Sequence, residues 1–299
     1  MKVALIFIFN SRYEKNISKL KKIYGDRFSH IYFVIPFYKG KEGENEIITV
    51  YELGYYFENM IAYAWDKIQK EQYDFCFFLP DDMILNPSIN ENNFMEYFGV
   101  DERTAYIDRY VSMSDMTYEW PFHQYCLAKY CFERLGGIDY KNEIPSSEEA
   151  YKIAENRGWA RLKTPFKYSF IKKRWRSENI RSALKYPKWT LAALGGKFTF
   201  EYPLLQGFSD IFIIPNMYMS QFSKYCGAFG AMNLHVEIAI PTAMMLSCEN
   251  VVHQKGKVVE HGDPKVLYTQ YNGDYKKMVK EWDNDCLFIH SVKLSMWEI

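Results

Sequence analysis

The fold of this 299-residue chain is decided by residues 73–87, YDFCFFLPDDMILNP. Residues 75–79 form an apolar run bounded by charge, which predicts a buried central strand. Asp81 and Asp82 follow at the carboxyl end of this strand, where open α/β sheets bind their ligands. A short apolar piece and the turn signal Asn86-Pro87 end the stretch. The acidic pair is therefore the first candidate for a functional site.

Two adjacent carboxylates repel each other unless a cation or a proton lies between them. Hard divalent ions such as Mg²⁺ and Mn²⁺ bind carboxylate oxygens together with substrate phosphates. Asp81 and Asp82 therefore indicate a site for a metal ion and a diphosphate. The alternative is a solvated Asp-Asp turn, because Asp is common in turns.

The chain before this stretch alternates strands and helices. Continuous apolar runs predict strands at 3–9, 30–37 and 47–51. A short amphipathic helix is expected at 17–23, and apolar residues from Leu53 to Ile68 recur on one face of a longer helix. This order predicts an α/β fold with a mostly parallel central sheet and helices on both faces. No Gly-x-Gly-x-x-Gly follows the first strand and no Walker sequence is present, so the usual dinucleotide and P-loop sites are not expected.

The second half of the chain is less regular and predicts an α+β arrangement. Its expected strands are 105–111, 208–215 and 286–289, and its expected helices are 122–135, 146–156, 232–245 and 275–282. Ser146 and Glu149 have capping-box spacing at the start of one of these helices.

Composition excludes several classes of protein. A hydrophobic content of 48% with 25% charged residues is ordinary for a soluble globular domain. The formal net charge is zero, so no global field would attract nucleic acid. The six cysteines have no metal-binding spacing, which predicts reduced thiols in a cytoplasmic protein. No apolar run is long enough for a membrane helix, and residues 3–9 are too short for the core of a signal peptide.

Residues 167–188 carry seven Lys and Arg side chains besides Lys167 itself, against the single acid Glu178. The ordinary interpretation is a solvated surface segment. The functional interpretation is a patch that faces phosphates, or a peripheral contact with the cytoplasmic face of a membrane that carries a lipid-linked acceptor.

The order of these parts resembles a glycosyltransferase of the Rossmann-like GT-A fold, with the likeness strongest over residues 1–155. In that family an Asp-x-Asp motif ends the central strand and binds a divalent metal, Mn²⁺ or Mg²⁺, that bridges the diphosphate of a nucleotide sugar. The matching residues here are 79–83, LPDDM. Asp82 takes the metal-ligand position with Asp81 beside it, whereas Pro80 stands where the first Asp is common.

Three further pieces resemble the family. Asn10-Ser11-Arg12 lies where the nucleoside is usually held. Residues 135–139, LGGID, followed by Glu148-Glu149, resemble a stretch near the acceptor site. His290 resembles a C-terminal metal ligand, and Lys293 a residue that contacts the diphosphate.

The resemblance implies a single domain, 1–299, with a nucleotide-sugar-binding half at 1–155 and an acceptor-side half at 156–299. It implies transfer of a sugar to a glycan or lipid-linked saccharide, as in polysaccharide biosynthesis. If the reaction inverts the anomeric centre, a carboxylate must take the proton of the acceptor hydroxyl. Asp210 is the first candidate, Glu237 the second and Glu149 the third.

Other interpretations stay open. Asp210 alternatively caps the entry to its strand, and Glu237 alternatively forms a buried ion pair. A sugar nucleotidyltransferase has a similar sheet, but residues 9–13, FNSRY, lack the glycines of its first loop. A non-catalytic carbohydrate- or nucleotide-binding protein on a transferase fold is the third possibility, and Pro80 in the acidic motif supports it.

Overall fold

The computed structural model describes residues 1–40, 46–54, 56–113, 122–133, 140–159, 184–253, 273–283 and 286–299. Its strands are β1 Val3–Ile8, β2 His30–Pro36, β3 Ile47–Val50, β4 Phe75–Pro80, β5 Met83–Leu85, β6 Thr104–Ile107, β7 Tyr110–Ser112, β8 Leu205–Gly207, β9 Phe212–Pro215, β10 Asn250–Val252 and β11 Phe288–His290. Its helices are α1 Lys15–Tyr24, α2 Phe57–Ile68, α3 Phe94–Phe98, α4 Phe122–Glu133, α5 Ser147–Asn156, α6 Pro187–Leu194, α7 Asn216–Ala231, α8 Val236–Ser247 and α9 Tyr275–Lys280.

Seven strands form the central sheet, in the order β10-β6-β9-β4-β1-β2-β3. Strand β9 is antiparallel to both of its neighbours, β4 and β6, and the other pairs are parallel. The prediction of an α/β fold with a mostly parallel sheet flanked by helices is confirmed. Two short antiparallel pairs, β11-β5 and β7-β8, lie outside this sheet.

The hydrophobic core lies on both faces of the sheet. Every side chain of β1 is buried. Val3 and Leu5 belong to the cluster that contains the inner face of α1, whereas Ala4 and Ile6 belong to the cluster that contains α2, α7 and α8. Successive side chains of a strand point to opposite faces, so a strand covered on both faces needs an unbroken apolar sequence.

Several predicted boundaries are wrong. Helix α2 begins at Phe57 rather than Leu53, and at Gly54, before the helix, the chain comes too close to the backbone of Asn10 for a side chain to fit. The predicted helix 232–245 is α8, which begins four residues later, after its N-cap His235.

Helix α7 was not predicted. Its glycines weaken the helical signal, but Gly227 allows α2 to come close, since a Cβ there would lie 3.3 Å from the Cβ of Ala62.

The predicted strand 208–215 is ordered as a strand only over β9, and 105–111 divides into β6 and β7 around Asp108 and Arg109. The predicted capping box is confirmed, with Ser146 and Glu149 bonded reciprocally. All six cysteines are free and buried, which confirms that the chain has no disulfide. The predicted LGGID segment at 135–139, and residues 167–183 of the predicted basic segment, lie outside the described residues.

In the described part of the chain, no helix has the length and apolarity to cross a lipid bilayer.

Candidate active site

Strand register brings three loops to one edge of the sheet. Ile8 of β1 pairs with Pro80 of β4, so Asn10 and Asp82 leave the sheet side by side. Phe78 of β4 pairs with Phe212 of β9. Because β9 runs in the opposite direction, the residues that precede it lie at this same edge. The acidic pair, the first loop and the entry to β9 therefore meet.

A cavity of about 530 Å³ opens at this edge. Its lining comes from the first loop, the start of α2, the acidic motif, the entry to β9 and the start of α8: Asn10, Ser11, Tyr13, Gly54, Phe57, Asp82, Ser209, Asp210, His235, Val236 and Glu237. Four of the predicted site residues are in this list, namely Asn10, Asp82, Asp210 and Glu237.

The C-terminal tail brings His290 to the same place. Strand β11 pairs antiparallel with β5, and the amide of Val292 donates to the carbonyl of Asp82 at 2.8 Å. His290 Nε2 lies 3.3 Å from Oδ1 of Asp82, and its Nδ1 lies 3.8 Å from Oδ2 of Asp210. Burial lowers the pKa of His290, but the carboxylates of Asp82 and Asp210 outweigh this effect, and the net pKa is raised. The imidazole thus lies between two acids that are 128 residues apart in the chain.

Asp81 points away from the cavity. It is 1% exposed, and its Oδ2 accepts a hydrogen bond from Nδ2 of Asn16 in α1 at 2.7 Å. Burial raises the pKa of Asp81 to about 7 and the charge of Asp82 adds to the rise, while Asn16 and the backbone amides of Asp81 and Asn10 oppose it. Asp81 therefore helps to hold the backbone of the first loop at Asn10, and only Asp82 of the pair lines the cavity.

The two remaining acids of the cavity wall, Asp210 and Glu237, differ from each other. Glu237 lies in the first turn of α8, behind the N-cap His235, whose Nδ1 accepts from the amide of Glu237 at 3.3 Å. Burial raises the pKa of Glu237 to about 7, the charge of Asp210 adds to the rise, and Arg109 opposes it. Asp210 instead contacts His290. The wall therefore offers one carboxyl group that titrates near neutrality and one that faces the imidazole.

Three other predicted residues do not line the cavity. Arg12 is exposed and pairs with Glu14 at 3.1 Å. Lys293 is exposed on the tail. The carboxylate of Glu149 is held in the capping box of α5, where the hydroxyl and the amide of Ser146 both donate to it, at 2.7 and 2.9 Å.

Asp108 and Arg109 were not among the predicted site residues. They follow β6 directly, and Ile107 pairs with Phe212, which places them at the same edge as Asp210. Burial raises the pKa of Asp108 to about 6, where Arg109 lowers and Asp210 raises it. Asp82 was selected because it follows the carboxyl end of a predicted strand. Asp108 would have been selected in the same way if its predicted strand had ended at Ile107 instead of continuing to Val111.

The donor atoms suit a divalent cation only in part. In the described residues, no three His, Cys, Asp or Glu side chains are grouped closely enough to hold a metal ion. Oδ1 of Asp82 is buried and lies 3.3 Å from Nε2 of His290 without a well-aligned hydrogen bond, so a cation could take the place of this contact. With His290 beside it, the protein offers two ligands. Mg²⁺ sites that also use substrate phosphates take one or two carboxylates, with water completing the shell, and Asp82 supplies one of these; an imidazole is the poorer ligand for this ion.

No known family model matches the chain, and no curated protein is significantly similar to it. The geometry of the cavity and the α/β fold that builds it are therefore the observations that bear on function.

Proposed function

We propose that the chain is a GT-A-type glycosyltransferase, which moves a sugar from a nucleoside diphosphate sugar to a saccharide or lipid-linked acceptor with the help of a divalent metal. One observation carries the proposal: Asp82, His290 and Asp210 converge at the carboxyl end of the central strand, and the two acids line a cavity together with the loop after β1. That convergence unites residues that the sequence linked only through a family resemblance.

Asp82 and His290 are the residues that would hold the metal. Mn²⁺ or Mg²⁺ would neutralise the charge that develops on the departing nucleoside diphosphate. Nδ1 of His290 lies 3.8 Å from Oδ2 of Asp210, and a carboxylate that accepts a hydrogen bond from this nitrogen would fix the tautomer and orientation of a metal-binding imidazole. The role proposed for Asp210 is accordingly to orient His290.

Glu237 is the best candidate for the general base. A base works best when its pKa is close to the working pH, because it must be ionised and still basic enough to take a proton. The pKa of about 7 at Glu237 meets this condition. Glu237 would accept the proton of the acceptor hydroxyl as the bond to the sugar forms.

The first loop would bind the nucleoside. Asn10 and Ser11 offer polar groups at one end of the cavity, and the rings of Tyr13 and Phe57 provide apolar surface beside them. A base and ribose need both kinds of contact.

Thermal stabilisation by nucleoside diphosphates, with and without Mn²⁺, tests the proposal. A ligand that binds only the folded chain raises its melting temperature by mass action. We expect Asp82→Ala to remove the metal-dependent part of this shift. The matched control Asp26→Ala, an exposed acid on the loop after α1, should leave it intact. An unchanged metal-dependent shift in Asp82→Ala would refute the metal site.

Release of the nucleoside diphosphate from a donor sugar separates catalysis from binding. Glycosyltransferases often hydrolyse their donor slowly when no acceptor is present, whereas a binding protein releases nothing. Stabilisation by nucleotides without any Mn²⁺-dependent release would therefore favour the non-catalytic alternative.

A further inference from the structure

Helix α6 exposes leucines to solvent. Its inner side is formed by Trp189 and Ala193, which are both buried. On its outer side Leu191 is 70% exposed and Leu194 is 45% exposed, and Leu184, just before the helix, is 78% exposed. Single exposed apolar residues are normal on a protein surface, but here three large ones fall within eleven residues.

The charged residues along this segment all have one sign. From Leu184 to Lys197 the charged side chains are Lys185, Lys188 and Lys197, with no Asp or Glu among them. All three lysines are exposed. Leu184, Leu191 and Leu194, together with these lysines, are called the leucine face below.

An anionic membrane surface complements this face in both respects. Leucines on the exposed side of a helix enter the boundary between headgroups and acyl chains, and the ammonium groups next to them attract anionic headgroups. The formal net charge of the whole chain is zero, so this attraction is local to the face rather than a property of the protein. A neutral or apolar protein partner would use the leucines but not the lysines.

We infer that the leucine face binds the surface of a membrane that contains anionic lipid. The inference depends only on described residues of 184–197 and is independent of the proposed sugar transfer. It makes the chain a peripheral membrane protein whose contact is this short helix.

Sedimentation with lipid vesicles tests the inference. We expect the wild-type chain to bind vesicles of equal parts phosphatidylglycerol and phosphatidylcholine, and not vesicles of phosphatidylcholine alone. The variant L184E/L191E should bind at least about tenfold more weakly, because it places charge in the apolar contact. The variant K185Q/K188Q/K197Q should lose roughly fivefold for each lysine, or about a hundredfold in all.

Matched controls distinguish binding through the leucine face from non-specific binding to vesicles. M217E changes another exposed apolar residue, 60% exposed at the start of α7, and K67Q/K70Q/K276Q removes the same charge from lysines elsewhere. Both controls should bind as the wild type does. Circular dichroism and the melting temperature of each variant check its fold.

Three outcomes would overturn the inference: equal binding to both kinds of vesicle, absence of binding to either, or full binding by L184E/L191E. Analytical ultracentrifugation of the wild type supplies a fourth. If the chain self-associates and L184E/L191E makes it monomeric, the leucine face is an interface between copies instead of a membrane contact.

Discussion

Glu58 predicts a large dependence of stability on pH. It lies in the first turn of α2 and is completely buried, and neither of its carboxylate oxygens has a hydrogen-bond partner in the described residues. It faces α7, where its charge acts on the buried thiol of Cys226. Burial raises the pKa of Glu58 from 4.5 to about 8, its own backbone amide opposes the rise slightly, and Glu52 adds to it.

The sign follows from proton binding. Between pH 4.5 and about 8 the unfolded chain has lost the proton of Glu58 whereas the folded chain retains it, so stability falls as the pH rises through this window. One pKa unit corresponds to about 1.4 kcal/mol, so the whole window is worth about 5 kcal/mol. Of this, about 4 kcal/mol falls between pH 5 and pH 9, since part of the loss occurs below pH 5. For a chain of this length, 4 kcal/mol corresponds to about 6 °C in melting temperature.

The assay compares the melting temperature of the wild type with that of Glu58→Gln from pH 5 to pH 9. The amide carries no titrating proton, so the melting temperature of the variant should fall by about 6 °C less over this range. Other buried acids titrate in both proteins and cancel in the difference. Glu96→Gln, an exposed acid on α3, serves as the control and should follow the wild type. Parallel curves for the wild type and Glu58→Gln would refute the reasoning.

Three further predictions concern the cavity and its surroundings. Glu237→Gln should lower the rate of sugar transfer by about a hundredfold to ten-thousandfold. In the wild type the rate should fall below pH 7, because Glu237 has a pKa of about 7, and the variant should lose this pH dependence. A steady-state pH profile measures both effects. Gly54→Ala should weaken nucleotide binding, because a Cβ there would overlap the backbone carbonyl of Asn10; calorimetric titration with a nucleoside diphosphate would show unchanged affinity if this is wrong. Ser146→Ala should lower the free energy of unfolding by about 1 kcal/mol, because α5 loses its N-cap, and it should leave nucleotide binding unaffected. Denaturant titration measures the loss of stability. A change in nucleotide binding would contradict the placement of α5 away from the cavity.

The first half of the fold could be predicted from the sequence because its signals are local. Strands β1, β2 and β4 are buried on both faces, so each one is a continuous apolar run. Helix α2 has a single buried face and shows a clear helical period. In each case the sequence of the element itself shows which of its faces are buried.

Helix α7 shows why other elements could not be predicted. It is covered on several sides: the buried residues Ser223 and Tyr225 are two positions apart and lie on opposite sides of the helix, so the buried residues do not form one stripe. Two glycines, Gly227 and Gly230, also weaken its helical propensity, but they are there because α2 packs against them closely. A pattern produced by close packing against a neighbour cannot be recognised before the neighbour is known.

The site was predicted in composition but not in arrangement. Asp82, His290, Asp210 and Glu237 were all named from the sequence, yet the antiparallel direction of β9 decides that Asp210 lies at the same edge as Asp82. Nothing in the residues of a four-residue strand specifies its direction. Asp108 was overlooked for a different reason: the predicted strand continued to Val111, whereas the pairing of β6 with β9 ends at Ile107.

Helix α1 connects the two sides of the site. Asn16 holds Asp81 beneath the first loop, and Lys19, three residues later, donates from Nζ to the carbonyls of Leu294, Ser295 and Trp297 at 3.0, 3.0 and 2.5 Å. Residues three apart lie on the same side of a helix, so one face of α1 contacts both the acidic motif and the tail. An ammonium group has three protons to donate, and all three are used on the tail. Strand β11 is only three residues long, so the contact with Lys19 stabilises the tail that carries His290. The position of the imidazole beside Asp82 therefore depends on α1, although α1 contributes no side chain to the lining of the cavity.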